Sequence, residues 1–86
     1  MLSFPNESRN YETGGDRIKF WGNDGIVDVP FFLETNILFR LYPRTGNTEA
    51  AILAAFDAGR TRIQQMASKA YSRTRRTFYI LGADSL

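Results

Sequence analysis

The side chains able to do chemistry in this chain are few, and the two most useful kinds are missing. There is no histidine and no cysteine in 86 residues, which removes the commonest general base, the thiolate nucleophile and the commonest zinc ligands together. The serines, Ser3, Ser8, Ser68, Ser72 and Ser85, have no imidazole to activate them, and only Lys19 and Lys69 stand in as bases. Ser68 and Lys69 are adjacent on an expected helix, so their side chains diverge and form no dyad. Carboxylates remain. Asp24 and Asp28 fall around one expected turn and strand, with Asp16 near by, an oxygen set suited to a hard cation. The spacing matches no EF-hand loop, and the aspartate of Asn23-Asp24-Gly25 has a sufficient purpose in turn geometry. Neither Gly14-Gly15 nor Gly22 fits a phosphate-cradling loop. The expectation is no catalytic residue, no metal, no cofactor and no enzyme.

Two constellations are better suited to binding. The net charge of +2 conceals a division: residues 1–57 carry five basic against eight acidic groups, and residues 58–86 carry six basic groups against Asp84 alone. On a helical wheel Arg62, Lys69 and Arg73 fall within about 40° of one another, and Arg76 joins them if the helix persists. They form a lateral ridge about 16 Å long, suited to phosphates through sequence-independent, salt-sensitive contacts. The same cations also favour a helix C-terminus, which accounts for them without any ligand. Trp21 is the second constellation. Alternation puts it opposite Ile18 and Phe20, beside Arg17 and Lys19, an arrangement of aromatic and basic groups on which single strands can stack. Packing beneath an N-terminal arm or the short helix is the simpler account of Trp21, since no RNP motif accompanies it.

These residues need a scaffold. A chain of 86 residues is one domain with a thin core. Its 43% hydrophobic and 23% charged residues are globular values, and 14% aromatic residues is high. Nothing at the N-terminus reads as a signal peptide, and no window approaches the roughly 20 apolar residues of a membrane span, so a cytoplasmic location is expected. Strands are predicted around Arg9–Glu12, over Arg17–Trp21, and from Ile26 to Val29 or on to Leu33. They are separated by turns at Thr13-Gly14-Gly15-Asp16 and at Asp24-Gly25. Pro30 puts the third strand on an edge or marks its end. Thr35 or Asn36 caps a short helix to Leu41. Asn47 or Thr48 starts a long one reaching about Arg73, with Ile52, Phe56, Ile63, Ala67 and Ala70 on its apolar face. Twenty-six straight helical residues would measure about 39 Å, too long for a domain about 30 Å across, so a bend at Gly59 is expected. Phe78–Leu81 closes the chain as a strand inserted between others, with Ile80 in the core beside Ile18 and Phe20. The fold class is α+β: a small antiparallel sheet of about four strands, one long amphipathic helix packed on one face, and a short helix before it.

Ser3-Phe4-Pro5-Asn6, and Ile18-Lys19-Phe20-Trp21-Gly22-Asn23-Asp24-Gly25 running into Val29-Pro30-Phe31-Phe32, resemble the small bacterial family of unknown function DUF1488. Ala54-Ala55-Phe56-Asp57-Ala58-Gly59-Arg60 and Ala70-Tyr71-Ser72-Arg73 are also similar to it. The resemblance covers nearly the whole chain and implies a compact α+β fold in a cytoplasmic bacterial protein. It implies no activity and carries over no catalytic residue. The leading expectation is a non-enzymatic interaction or structural module, with a homodimer as one form. The alternative is a weak, non-specific nucleic-acid binder using Arg62, Lys69, Arg73, Arg76 and Trp21. An exposed apolar patch on the uncovered sheet face favours the first, and a continuous positive surface along the ridge favours the second.

Overall fold

The computed structural model describes residues 1–12, 14 and 16–86. The turn expected over Thr13-Gly14-Gly15-Asp16 includes Thr13 and Gly15, which lie outside the described residues. The elements run β1 (Leu2–Ser3), β2 (Arg9–Glu12), β3 (Arg17–Asp24), β4 (Val27–Glu34), α1 (Thr35–Leu41), α2 (Glu49–Ala58), α3 (Arg60–Arg73) and β5 (Tyr79–Leu81), followed by a 3₁₀ turn at Ala83–Ser85.

Two-residue alternation builds the centre. In β3 and β4, Ile18, Phe20, Val29, Phe31 and Leu33 are buried on one face, with Phe20 opposite Phe31 and Ile18 opposite Leu33. Gly25 takes φ 74° at the first of two loop positions, as a tight hairpin with a single left-handed residue requires. The expected turn pair, Asp24-Gly25, is displaced by one residue: Asp24 pairs with Val27, and Ile26 stands fully exposed at the tip. Gly22 lies on the buried face because a side chain has no room there. A Cβ would come 2.8 Å from Leu2 and 3.2 Å from both Phe4 and Phe31.

The sheet departs from the expected antiparallel meander of about four strands. It has five strands and is mixed. β1 and β2 share one edge of β3, both antiparallel to it, and β4 lies on the other edge. β5 then pairs with β4 in parallel, Phe31 opposite Tyr79 and Leu33 opposite Leu81. The reason is the connection: three helices between β4 and β5 return the chain to the same end of the sheet, as a parallel crossover needs. β5 is therefore an end strand, where insertion between others was expected. Its parity also corrects the placement of Ile80. Tyr79 and Leu81 face the core, and Ile80 points outward, 48% exposed. Pro30 costs no ladder bond on the β5 side, since β5 reaches β4 only from Phe31 onward.

The single long helix is also corrected, into two. Gly59 separates α2 from α3 with φ −100° and ψ 14°, outside helical values. The Tyr42 ring packs against it, where a Cβ would lie 2.5 Å from the hydroxyl oxygen. The break lets both halves follow a molecule whose longest dimension is 35 Å. Thr48 caps α2, its Oγ1 accepting the Ala51 N–H at 3.2 Å. α1 is held differently: its own first residue, Thr35, donates both N–H and Oγ1–H to the Asp16 carbonyl at 2.9 Å. The core lies between α2, α3 and the inner sheet face. Phe56 meets Phe20 at 5.2 Å between centroids, Phe20 stacks on Phe31 at 5.4 Å, and Phe31 on Tyr79 at 5.2 Å. Ile52, Ile63 and Ala67 complete it.

Candidate functional site

Among the described residues no helix covers the opposite face of the sheet. The register that buries Ile18 and Phe20 sends Arg17, Lys19, Trp21 and Asn23 outward, opposite Glu34, Phe32, Pro30 and Asp28 respectively. Phe32 in turn lies opposite Ile80. The centre of this face is apolar: Trp21, Pro30 and Phe32 are half-buried, while Phe78 and Ile80 are 50% and 48% exposed. Phe78 meets Phe32 edge-on at 6.1 Å. Cations overlie the rings, Lys19 Nζ at 5.3 Å from Trp21 and 5.6 Å from Phe32, and the Arg17 guanidinium at 4.4 Å from Phe32. One end of the face is a charged band in which Glu12 pairs with Arg17 at 3.3 Å. The other end is polar, with the Asn23 amide donating to Asp28 at 3.0 Å. An apolar centre inside a polar rim is the anatomy of a protein interface.

The five residues singled out for nucleic acid do not form one site. Trp21 is on this outer face, whereas α3 packs on the inner face through Ile63 and Ala67. Arg62 and Lys69 line one cleft of about 230 Å³ with Met66, Ser85 and Leu86. Lys69 and Arg73 line a constriction of about 40 Å³ beside Asp84. Arg73 and Arg76 line a third space of about 210 Å³ that ends at Tyr79 and Ile80. Shared lining residues make these one groove between α3 and the 3₁₀ turn. α3 stops at Arg73, so Arg76 enters it from the following segment and not from the helix. Among the described residues none of these four cations makes an ion pair. Among the described residues the groove shows no exposed aromatic ring on which a base could stack, and on the outer face Trp21 and Phe32 are overlain by Lys19 and Arg17.

Asp24 is the most perturbed acid. The terminal ammonium of Met1 at 2.8 Å, the Tyr71 hydroxyl and Arg75 at 3.2 Å all bond to it. The ammonium first, then Tyr71, lowers its pKa to about 2, and the same contact raises that of Tyr71. Asp24 and Asp28 are not brought together as a cation cage, because Asp28 is bonded to Asn23. Among the described residues no cluster of three carboxylates forms. Asp57 is held below the usual carboxylate range by Arg9, which bonds it at 3.0 and 2.9 Å, with Arg60 also donating. Such fully partnered acids brace the fold. A further cleft, about 530 Å³, lies between Leu41–Thr45 and Ala55 and Ala58 of α2. It is open and apolar, without the convergent polar groups that orient a ligand.

Sequence reasoning found Trp21, Arg17 and Lys19 on the outer face but missed Phe32, Phe78 and Ile80. Phe31-Phe32 is apolar on both sides of the strand, so periodicity assigns neither to a face. Parity counted from Leu33 would have separated them.

The family model described as "Protein of unknown function (DUF1488)" matches residues 2–81. Among solved structures, the chain is similar to a protein of unknown function from the DUF1488 family of Shewanella loihica PV-4. The two share 16% identity and a TM-score of 0.81, with 92% of this chain and 89% of that one covered. No curated protein matches. Among the described residues no helix is long and apolar enough to cross a membrane.

Proposed function

The chain belongs to the DUF1488 family, whose function is unknown, and on that premise we propose that it is a non-enzymatic interaction module whose outer sheet face docks on a second copy of itself. The observation that carries this is the uncovered patch of Trp21, Pro30, Phe32, Phe78 and Ile80, bounded by charge at one end and by polar groups at the other. A second copy is favoured because the face holds both signs. A two-fold axis across the strands lays the row of Lys19 and Phe32 in each copy on the row of Trp21 and Pro30 in the other, and brings Arg17, with Glu34 beside it, towards Asn23 and Asp28. Apolar rows then meet apolar rows and polar ends meet polar ends, as an isologous contact needs. β3 and β4, each about 27 Å long and about 4.8 Å apart, with the shorter β1, β2 and β5 beside them, give a footprint of about 400 Å² per copy. Two such footprints fall short of the roughly 1,000 Å² of a stable specific interface, so the dimer is a weak, micromolar one. The non-enzymatic half of the reading is supported by the missing histidine and cysteine. Asp24 adds to it: with its pKa at about 2 it is ionised throughout the neutral range, where it neither gives nor takes a proton.

Sedimentation equilibrium over a concentration series tests it. The wild-type chain should associate at micromolar concentration, and Phe78→Ser with Ile80→Ser should weaken the dimer at least about tenfold, about 1.4 kcal/mol. A chain that stays monomeric at millimolar concentration refutes the reading.

A further inference from the structure

β5 is an end strand, and among the described residues no strand pairs with its outer side. Its three residues pair only with β4. Among the described residues, no backbone bond reaches Tyr79, Ile80 or Leu81 from outside the sheet. Residues 78–81 contain no proline, no lysine and no inward charge, so the shortness of the strand, three residues, is what limits pairing at this edge. The space beside this edge is already shaped. The third cleft of the α3 groove, about 210 Å³, is lined on one side by Tyr79 and Ile80 and on the other by Ala70, Arg73, Thr74 and Arg76. Along the groove lie four cations that make no ion pair among the described residues, with Asp84 the acidic side chain beside them.

From this juxtaposition, of an open strand edge with a cation-lined cleft beside it, we infer that β5 takes up an extended acidic peptide segment by strand addition. Backbone pairing to the free edge supplies affinity that does not depend on sequence, and alternate side chains supply the choice of partner. Side chains of the added strand that point inward enter the cleft beside Arg73 and Arg76, where two cations outnumber the one aspartate, Asp84. Those that point outward lie beside Ile80 and Phe78, which favours apolar groups. The partner segment therefore alternates acidic and apolar residues over the three or so positions that β5 can pair. This site is the edge and not the face, so it stands whether or not two copies associate.

Three fluorescein-labelled octapeptides, each at trace concentration, test it by anisotropy as micromolar protein is added. The first alternates valine and glutamate, the second valine and lysine, and the third is the first with alternate backbone nitrogens methylated. The glutamate peptide should bind, the lysine peptide at least about tenfold more weakly, and the methylated one not measurably. Arg73→Glu with Arg76→Glu should weaken binding by about tenfold or more, and so should a rise from about 20 to 200 mM salt. Amide exchange should slow in residues 78–81 on binding. Equal binding by the methylated peptide, or protection confined to α3, overturns strand addition. An oligothymidylate of equal charge that binds as tightly overturns the peptide assignment in favour of a general polyanion groove. Absence of binding at low salt across that protein range overturns both.

Discussion

On the inner face of β3 and β4, Ile18, Phe20, Val29, Phe31 and Leu33 are at most 4% exposed, under α2 and α3. On the outer face of the same strands Trp21, Pro30 and Phe32 keep part of their surface in water, and Phe78 and Ile80 about half of theirs. An antiparallel sheet with one wet face ordinarily alternates apolar inside with polar outside. Here that alternation holds only at the ends, where Arg17, Glu34, Asn23 and Asp28 face out, and fails in the middle rows. The two faces differ in coverage more than in composition. Coverage is supplied by helices that come later in the chain, and they reach one side only.

Truncating a ring on each face is the sharpest way to break this contrast. Phe56, 1% exposed and touching Phe20, should lose about 3–5 kcal/mol of stability on Phe56→Ala, with the urea slope unchanged. Phe32→Ala on the outer face should lose about 1 kcal/mol or less, mainly the contacts with Arg17 and Phe78, while weakening self-association. Equal losses in both variants would mean that something covers the outer face within one chain. Gly22→Ala comes next. The added methyl meets Leu2, Phe4 and Phe31 together, and overpacking of that kind costs about 1–3 kcal/mol. The matching outward position, Asn23→Ala, should change stability by about 1 kcal/mol or less, because it removes one exposed hydrogen bond. Chemical denaturation of the pair decides the comparison.

The smallest effect lies where the inner face meets solvent, at Asp24. Its folded pKa of about 2 is below the ordinary 3.8. The stability it contributes is therefore fully present above about pH 4 and is lost as pH falls towards 2. Asp24→Asn should flatten that limb of the urea midpoint plotted against pH. An unchanged limb would assign the acid response to other carboxylates, with Asp57 the first to examine.

Much of the inner face was legible and much of the outer was not, for a physical reason. Burial on one side imposes a period, two in β3 and close to 3.6 in α2 and α3, and Ile18, Phe20, Phe56 and Ile63 carry it. The turn slipped by one residue because Asn23-Asp24-Gly25-Ile26 permits either pair as the loop, and only the pairing of Asp24 with Val27 chooses. The parallel direction of β5 has no local signature at all, since it is decided by the length and path of the helical connection. Gly59 marked a bend correctly, but whether it bends or divides a helix depends on Tyr42, 17 positions earlier, packing against it. The cations at Arg62, Lys69 and Arg73 were visible as a ridge. That they face Asp84 and lead to β5 was not, because the opposite wall comes from the chain's last turn.

The parallel placement of β5 also dictates an order of assembly. The β3–β4 hairpin closes over two residues, whereas β5 reaches β4 only after the chain from Glu34 to Phe78 has been gathered in. Each doubling of a closed loop costs about 0.6 kcal/mol, so this last closure is about 3 kcal/mol harder than the first. The hairpin should be formed in the folding transition state and β5 should join afterwards, giving Val29→Ala a high φ-value and Leu81→Ala one near zero. Until β5 arrives, one side of β4 lies open along Phe31-Phe32-Leu33, a short apolar stretch ready to pair with another unfinished chain. Pro30 stands immediately before it, without an N–H to offer, and so limits how far such a misplaced pairing can spread.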